Sequence, residues 1–465
     1  MTESRSGSQA AAAPSLSHEI PFDEALRVWA RVAIQSFGGP AGQIAVMHRI
    51  LVEEKRWVSE ERFLHALSYC MLLPGPEAQQ LATYLGWLLH RTRGGLAAGI
   101  LFVVPGFVSI LALSLLYTAY GDVALVEGFF YGVKPAVLAL VLEALLRIGR
   151  RALGHRVQLV IAAAAFVSIF FLDLPFPWIV FGAGAIGVVG TRWLPEASGP
   201  PKPTVPSTAV PVVDALLDRQ TLEHTRPSLA RAVRVAVIGL AFWWVPIGLL
   251  VFARGADDVY AQISFFFSKL AVVTFGGAYA VLAYMAQQAV ETYGWLAPGE
   301  MLDGLGMAET TPGPLIQVVQ FVGFLGAYRS PGTLPAWIAG TLAAVLTTWV
   351  TFVPCFLWIF LGAPWIEQLR ESRPLRGALS GITAAVVGVV LNLAIWFSLH
   401  TVFGVVEARR LGLLVLQVPD WATLDVAAAV IAVAAAIATL RFHVGMLPLI
   451  GSSALAGVLW RLIAQ

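Results

Sequence analysis

Apolar residues fill this chain in runs far longer than a soluble core needs. Nine runs are unbroken and near the length that crosses a hydrocarbon core, which takes about 20 helical residues. They lie at 95–117, 123–148, 157–172 and 176–194, then at 235–253, then at 334–361, 375–399, 422–440 and 444–463. Four more apolar runs are interrupted. The run 22–52 is broken by Phe37-Gly38-Gly39-Pro40 and 62–90 by Pro74-Gly75-Pro76; 259–290 is broken by Phe275-Gly276-Gly277 and 300–328 by Pro312-Gly313-Pro314. The pattern predicts an all-α integral membrane protein with broken, re-entrant helices.

Composition points to the same solvent. Only 12% of the 465 residues are charged, about half the share in a soluble domain, so lipid must face most of the surface. The net charge of +2 is too small to suggest nucleic acid. Cys70 and Cys355 are far apart in apolar sequence and predict neither a disulfide nor a metal site. Residues 1–21 are polar and have no apolar core of signal-peptide length, so they read as a disordered cytoplasmic tail. The Pro-, Ser- and charge-rich segment 195–231 reads as an exposed cytoplasmic linker, followed by a connecting helix at 232–254.

The breaks expose a duplication. Adding 238 to a number in 36–91 lands on its equivalent in 274–329 without a gap. Phe37-Gly38-Gly39 falls on Phe275-Gly276-Gly277, Pro74-Gly75-Pro76 on Pro312-Gly313-Pro314, Trp57 on Trp295, Gln79 on Gln317 and Arg91 on Arg329. Further along, the offset becomes 249 and pairs Pro105 with Pro354 and Gly132 with Gly381. The two repeats therefore span 22–194 and 255–465. Cytoplasmic loops are rich in Lys and Arg. Arg49, Lys55, Arg56 and Arg62 crowd one first-half loop, whereas its equivalent at 287–300 has no basic residue and carries Glu291 and Glu300. The contrast reverses at the next pair: 120–122 has no basic residue, and the matching loop has Arg370, Arg373 and Arg376. Opposite bias in equivalent loops marks an inverted repeat. Following the charges gives about nine full spans and four helical hairpins, with the N-terminus cytoplasmic and the C-terminus outside; about thirteen full crossings is the alternative.

A helix broken inside a bilayer strands backbone N–H and C=O groups. Gly supplies the tight turn, and Pro fits the start of the next helix, where no N–H is needed. The N-terminus so created offers free donors and positive dipole charge, a ready anion site. Two inverted repeats would bring the four breaks together at mid-membrane. The candidate cradle comprises Gly38, Gly39, Pro40, Gly75, Pro76, Gly276, Gly277, Gly313 and Pro314. Gln43, Gln79, Gln80, Thr310, Thr311 and Gln317 are candidate side-chain donors, as are Ser36 and Thr274. Each of these polar groups could equally satisfy freed backbone. Charged groups deep in apolar sequence are functional candidates: Lys134 and Lys269 to balance a dianion, Glu77 to carry a coupling proton. No hydrolase, nucleotide or metal motif is present, so neither enzymatic activity nor a cofactor is expected.

The residues Phe37-Gly38-Gly39-Pro40, Lys55-Arg56-Trp57 and Leu73-Pro74-Gly75-Pro76-Glu77-Ala78-Gln79-Gln80 resemble the chromate transporter family. The weaker second-half copy resembles its long, two-domain form over about residues 22–465. It departs at Ala278, where the first half has Pro40, and at Leu315, where it has Glu77. The resemblance implies a bacterial inner-membrane transporter that exports chromate, with sulfate as a related oxyanion. A carrier for sulfate or a carboxylate and an anion channel stay open as alternatives, and a homodimer is compatible with the sequence.

Overall fold

A computed structural model describes residues 20–37, 39–121, 123–190, 227–275, 278–297, 299–365, 372–412 and 414–464. The tail 1–19, most of the linker, Arg370, Gly38, Gly276 and Gly277 lie outside them.

The first repeat begins with α1 (Phe22–Gln35), α2 (Gly39–His48) with a π-helical extension (Arg49–Glu54), and α3 (Glu60–Cys70). Then come α4 (Glu77–Tyr120), α5 (Ala124–Ala152), α6 (Arg156–Phe170) and α7 (Phe176–Val189). After the connecting helix α8 (Leu229–Arg254), the series recurs. It runs α9 (Val259–Val273), α10 (Ala278–Gln287) with its own π-helical extension (Gln288–Thr292), and α11 (Glu300–Thr310). A 3-10 turn (Leu315–Gln317) then leads into α12 (Val318–Arg329), followed by α13 (Ala336–Gly362), α14 (Arg373–Val402), α15 (Val426–Phe442) and α16 (Met446–Ala464). The predicted spans are all present as helices. Helix α4 joins a predicted hairpin arm to a predicted span; His90 and Arg91 leave helical geometry and divide the two. The antiparallel hairpin β1–β2 (Val406–Leu411, Leu414–Pro419) was not predicted. It stands where the first repeat has only a short turn between α5 and α6.

Contacts decide between hairpins and full crossings. Helix α1 and the α2 unit run antiparallel: Arg49 donates to Gln35 Oε1 (2.8 Å), Arg31 pairs with Glu54 (2.7 Å), and Lys55 pairs with Glu24 (2.8 Å). The run thus returns to the end from which it started. His48 meets Glu60, and His90 Nε2 lies 2.7 Å from Ile20 O. All four ends of the first two broken runs therefore gather at one end of the molecule. In the second repeat Arg329 donates to Trp295 O and Glu300 (2.7 Å each). Tyr117, at the far end of α4, donates to Glu300 (3.3 Å) and Asp303 (3.1 Å). These groups mark the opposite end. The limb Thr92–Tyr120 of α4, roughly 43 Å long, connects the two. The repeats are inverted, and the broken runs are helical hairpins. Their arms of 10–16 residues reach roughly 15–24 Å, short of the ~30 Å core.

Among the described residues, nine helices pass between the two ends: the second limb of α4, then α5–α8 and α13–α16. By length and composition, six described helices can cross a bilayer (α4, α5, α8, α13, α14, α16), while α6, α7 and α15 are shorter apolar helices. The repeats interlock: α5 packs on α15 and α16 of the other repeat, and α14 packs on α6 and α7. Peripheral α8 buries only Trp243 and Ile247 and exposes Phe252, whereas α12 is buried from Val318 to Ala327. The hairpin helices α11 and α12 thus lie in the protein-lined interior with much of α5 and α14, while α8 and the outer faces of the other long helices form the apolar wall, as lipid demands.

Candidate functional site

The breaks are built for close approach. Gly39, Gly75 and Gly313 have φ of +70°, +122° and +113°, which side chains rarely adopt. Pro40 lies in the first turn of α2. Pro76 and Pro314 stand one residue before their helices, in extended conformation. The sequence had placed all three inside the new helix.

Two hydrogen bonds join the repeats reciprocally. Gly75 N–H donates to Thr274 O at 2.7 Å, and Gly313 N–H donates to Ser36 O at 2.9 Å. The donors are equivalent positions, and so are the acceptors. Each Pro-Gly-Pro turn is therefore tied to the residue before the other repeat's Phe-Gly-Gly, and the four breaks share one locus. Gln43 Nε2 adds a bond to Gly313 O (2.6 Å). Packing is equally reciprocal: a Cβ on Gly75 would come 2.8 Å from Cys355 Sγ, and one on Gly313 would come 2.9 Å from Gly106 Cα. Cys355 is buried and free, as is Cys70.

The locus offers donors at helix starts. Gln80 N–H to Pro76 O (3.1 Å) and Gln317 N–H to Pro314 O (2.8 Å) are the first bonds across these starts. The N–H groups of Ala78, Gln79, Leu315 and Ile316 precede them and have no backbone acceptor within their own helix, while the Glu77 N–H faces its own carboxylate. Helix α2 starts at the same place, and Gly39 there lies close to Tyr279: a Cβ would meet its hydroxyl at 3.9 Å.

The side chains are mostly engaged with backbone. The Ser36 and Thr274 hydroxyls donate to Val32 O (2.7 Å) and Leu270 O (2.6 Å), again equivalent pairs. Thr310 donates to Gly306 O and Thr311 to Ala308 O. Gln80 Nε2 donates to Pro74 O (2.7 Å), Gln79 Nε2 to Thr83 Oγ1 (3.0 Å), and Gln317 Nε2 to Gln320 Oε1 (2.5 Å) and Thr348 Oγ1 (3.1 Å). The Oε1 atoms of Gln79, Gln80 and Gln317 are buried without a partner, as is Glu77 Oε2.

The two lysines have protein partners. Lys134 Nζ lies 3.4 Å from Asp303 Oδ2, and Lys269 donates to Tyr284 OH at 2.9 Å. Three groups escaped the sequence reading: Asp303 and Glu309, both buried on α11, and Tyr279, which donates to Glu309 Oε1 at 2.5 Å. Both acids lie inside the run 300–328, already read as a membrane hairpin. The rule that flagged Glu77 applies to them equally.

Comparison with known proteins agrees with this architecture. The profile of the chromate transporter family matches residues 24–188 and 261–458, one stretch in each repeat. A chromate transport protein of Pseudomonas aeruginosa is 32% identical over 362 residues, 77% of either chain. One of Cupriavidus metallidurans is 26% identical over 373 residues, 78% of this chain and 80% of that one. An uncharacterized transporter of Bacillus subtilis, YwrB, is 26% identical over 133 residues, 29% of this chain and 68% of its own. No solved structure matches.

Proposed function

The chain belongs to the chromate transporter family, and from that premise we propose that it carries a tetrahedral oxyanion, chromate first, through the locus where the four breaks meet. The reciprocal Gly75–Thr274 and Gly313–Ser36 bonds carry this reading. They support a single central cradle of backbone donors at equal reach of the two ends, as alternating access requires. In it, Gly38, Gly39, Gly276 and Gly277 let backbone approach the anion, and Pro40, Pro76 and Pro314 leave the helix starts open. Gln43, Gln79, Gln80, Gln317, Thr310 and Thr311 surround the cradle. Export, with sulfate as an exchanged or competing anion, is the direction that fits a toxic substrate.

Orientation follows from charge. Arg49, Lys55, Arg56, Arg62, Arg91, Arg93, Arg150 and Arg151 lie at the end that holds Phe22. That end is cytoplasmic in a bacterial inner membrane, and the C-terminus is outside. The test is uptake of labelled chromate and sulfate into proteoliposomes. Saturable uptake of both, accelerated by unlabelled anion on the far side, is expected. Conduction without such stimulation would replace a carrier with a channel, and no uptake of either anion would remove the reading.

A further inference from the structure

Helix α11 carries a row of buried titratable groups against α5, alongside the cradle. Tyr117 from α4 bonds Asp303 Oδ2 and Glu300 Oε1, and Lys134 from α5 approaches the same Asp303 oxygen. Asp303 is 2% exposed, and its Oδ1 has no partner. Two turns further in, Glu309 is 4% exposed and accepts the Tyr279 hydroxyl from α10. Beyond it on α5 stands the Glu143–Arg147 pair, within electrostatic reach of Glu309 and Tyr279. On the outer flank Glu300 is held by Arg329 of α12. Helix α16 also packs on α11, and its Arg461 is bonded to Glu127.

The inverted repeat supplies an internal comparison. The positions equivalent to Glu300, Asp303, Glu309 and Tyr279 are Arg62, His65, Met71 and Ala41. Those equivalent to Lys134, Glu143 and Arg147 are Thr383, Asn392 and Trp396. The carboxylates exist on one side only, although the scaffold is duplicated. A carboxylate kept in the membrane interior is costly unless paired, and here the pairing groups come from four different helices: Tyr117 from α4, Lys134 from α5, Tyr279 from α10 and Arg329 from α12.

We propose that Asp303 and Glu309 form a proton route along the α11–α5 interface that couples proton movement to anion movement. The inference rests on the transporter reading. Glu300 and Tyr117 lead in from the end marked by Arg329. Asp303 accepts a proton there on Oδ1, while Lys134 balances its deprotonated state. Glu309 stands beside Gly39 through Tyr279, so its protonation state is felt where the anion sits. Glu143 leads out towards the basic end. Each step moves one proton between oxygen atoms, and nothing is oxidised or reduced.

The test uses the full chain in proteoliposomes with a trapped pH indicator and labelled sulfate or chromate. Wild type should move protons with the anion. Asp303→Asn and Glu309→Gln should each lose at least tenfold in protons moved per anion while still exchanging labelled for unlabelled anion. Asp303→Glu should recover proton movement, which a purely structural role would not predict. Anion uptake by wild type with no indicator response overturns the route and leaves the transporter reading standing. So does unchanged proton movement in both neutral variants, or its loss in Glu77→Gln alone. Absence of anion flux in wild type removes both readings, and the wild-type measurements stand even if a variant fails to fold.

Discussion

At the scale of single residues, the two repeated glutamines turn out to be unequal. Gln320 Nε2 bonds Phe107 O at 3.0 Å, and a carbonyl only accepts, so Gln320 must turn Oε1 to Gln317. Gln317 therefore has its donor locked away from the cradle. Gln79 Nε2 donates to Thr83 Oγ1, whose own hydrogen goes to Gln79 O at 2.9 Å, so this amide is held by one bond to a rotatable hydroxyl, against the two bonds that hold Gln317. Position 82, equivalent to Gln320, is Ala, which is why Gln79 lacks the second anchor that Gln317 has. We expect Gln79→Ala to weaken anion binding by about 1.5–3 kcal/mol, roughly tenfold to a hundredfold, with little change in melting temperature. Gln317→Ala should lower melting temperature and leave affinity nearly intact. Affinity and thermal unfolding measured on the same purified variants check this; equal affinity losses would show that both donors reach the anion. Sequence marked both positions through the repeat, but the direction of an amide depends on Gln320 and Thr348, 3 and 31 residues away.

At the scale of elements, the repeats are held together by small residues. Gly128 and Gly132 of α5 face the backbone of Ser453, Gly457 and Val458 in α16. Their equivalents Gly377 and Gly381 of α14 face Ala183 and Gly187 in α7. A Cβ on Gly132 would lie 1.9 Å from Ser453 O, and one on Gly381 would lie 2.3 Å from Ala183 O. Inside a bilayer helices gain little from apolar burial against one another, so such close backbone contact supplies much of the attraction. Gly132→Ala and Gly381→Ala must push the helices apart and should each cost about 1–3 kcal/mol or more. Gly182→Ala and Gly451→Ala lie on the same partner helices with nothing within 4 Å and should change melting temperature little. Parallel loss in all four would mean helix propensity or lipid contact, not the crossing, sets the effect. The sequence pairs Gly132 with Gly381 by offset; it does not reveal that each glycine meets the other repeat.

At the scale of the whole molecule, inversion has a direct consequence for access. Glu53 and Glu291 are equivalent, exposed positions at opposite ends. In a background with Cys70 and Cys355 replaced by Ser, Glu53→Cys should react with impermeant thiol reagents only from the cytoplasm. Glu291→Cys should react only from outside. Labelling of both from one side would contradict the inverted arrangement, and exchange of the two sides would reverse the orientation read from the arginines.

Sequence alone determined the all-helical membrane class, the duplication, its inversion and the sites of the breaks. These are local matters: a run of apolar residues, a Gly or Pro that no continuous helix tolerates, a loop rich or poor in arginine. Loop charge favoured hairpins over about thirteen full crossings, but the contacts at the two ends decided between them. Tertiary structure decided what the sequence pattern leaves equal. An apolar residue facing lipid and one buried against a helix look alike in hydropathy, so the exchange of α15–α16 and α6–α7 between repeats was invisible. So were the β1–β2 hairpin and the pairing of each Pro-Gly-Pro turn with the opposite repeat. A backbone N–H must find an acceptor in lipid, but its sequence does not say whose. Gly75 finds Thr274 and Gly313 finds Ser36 only because two inverted halves close around a common centre.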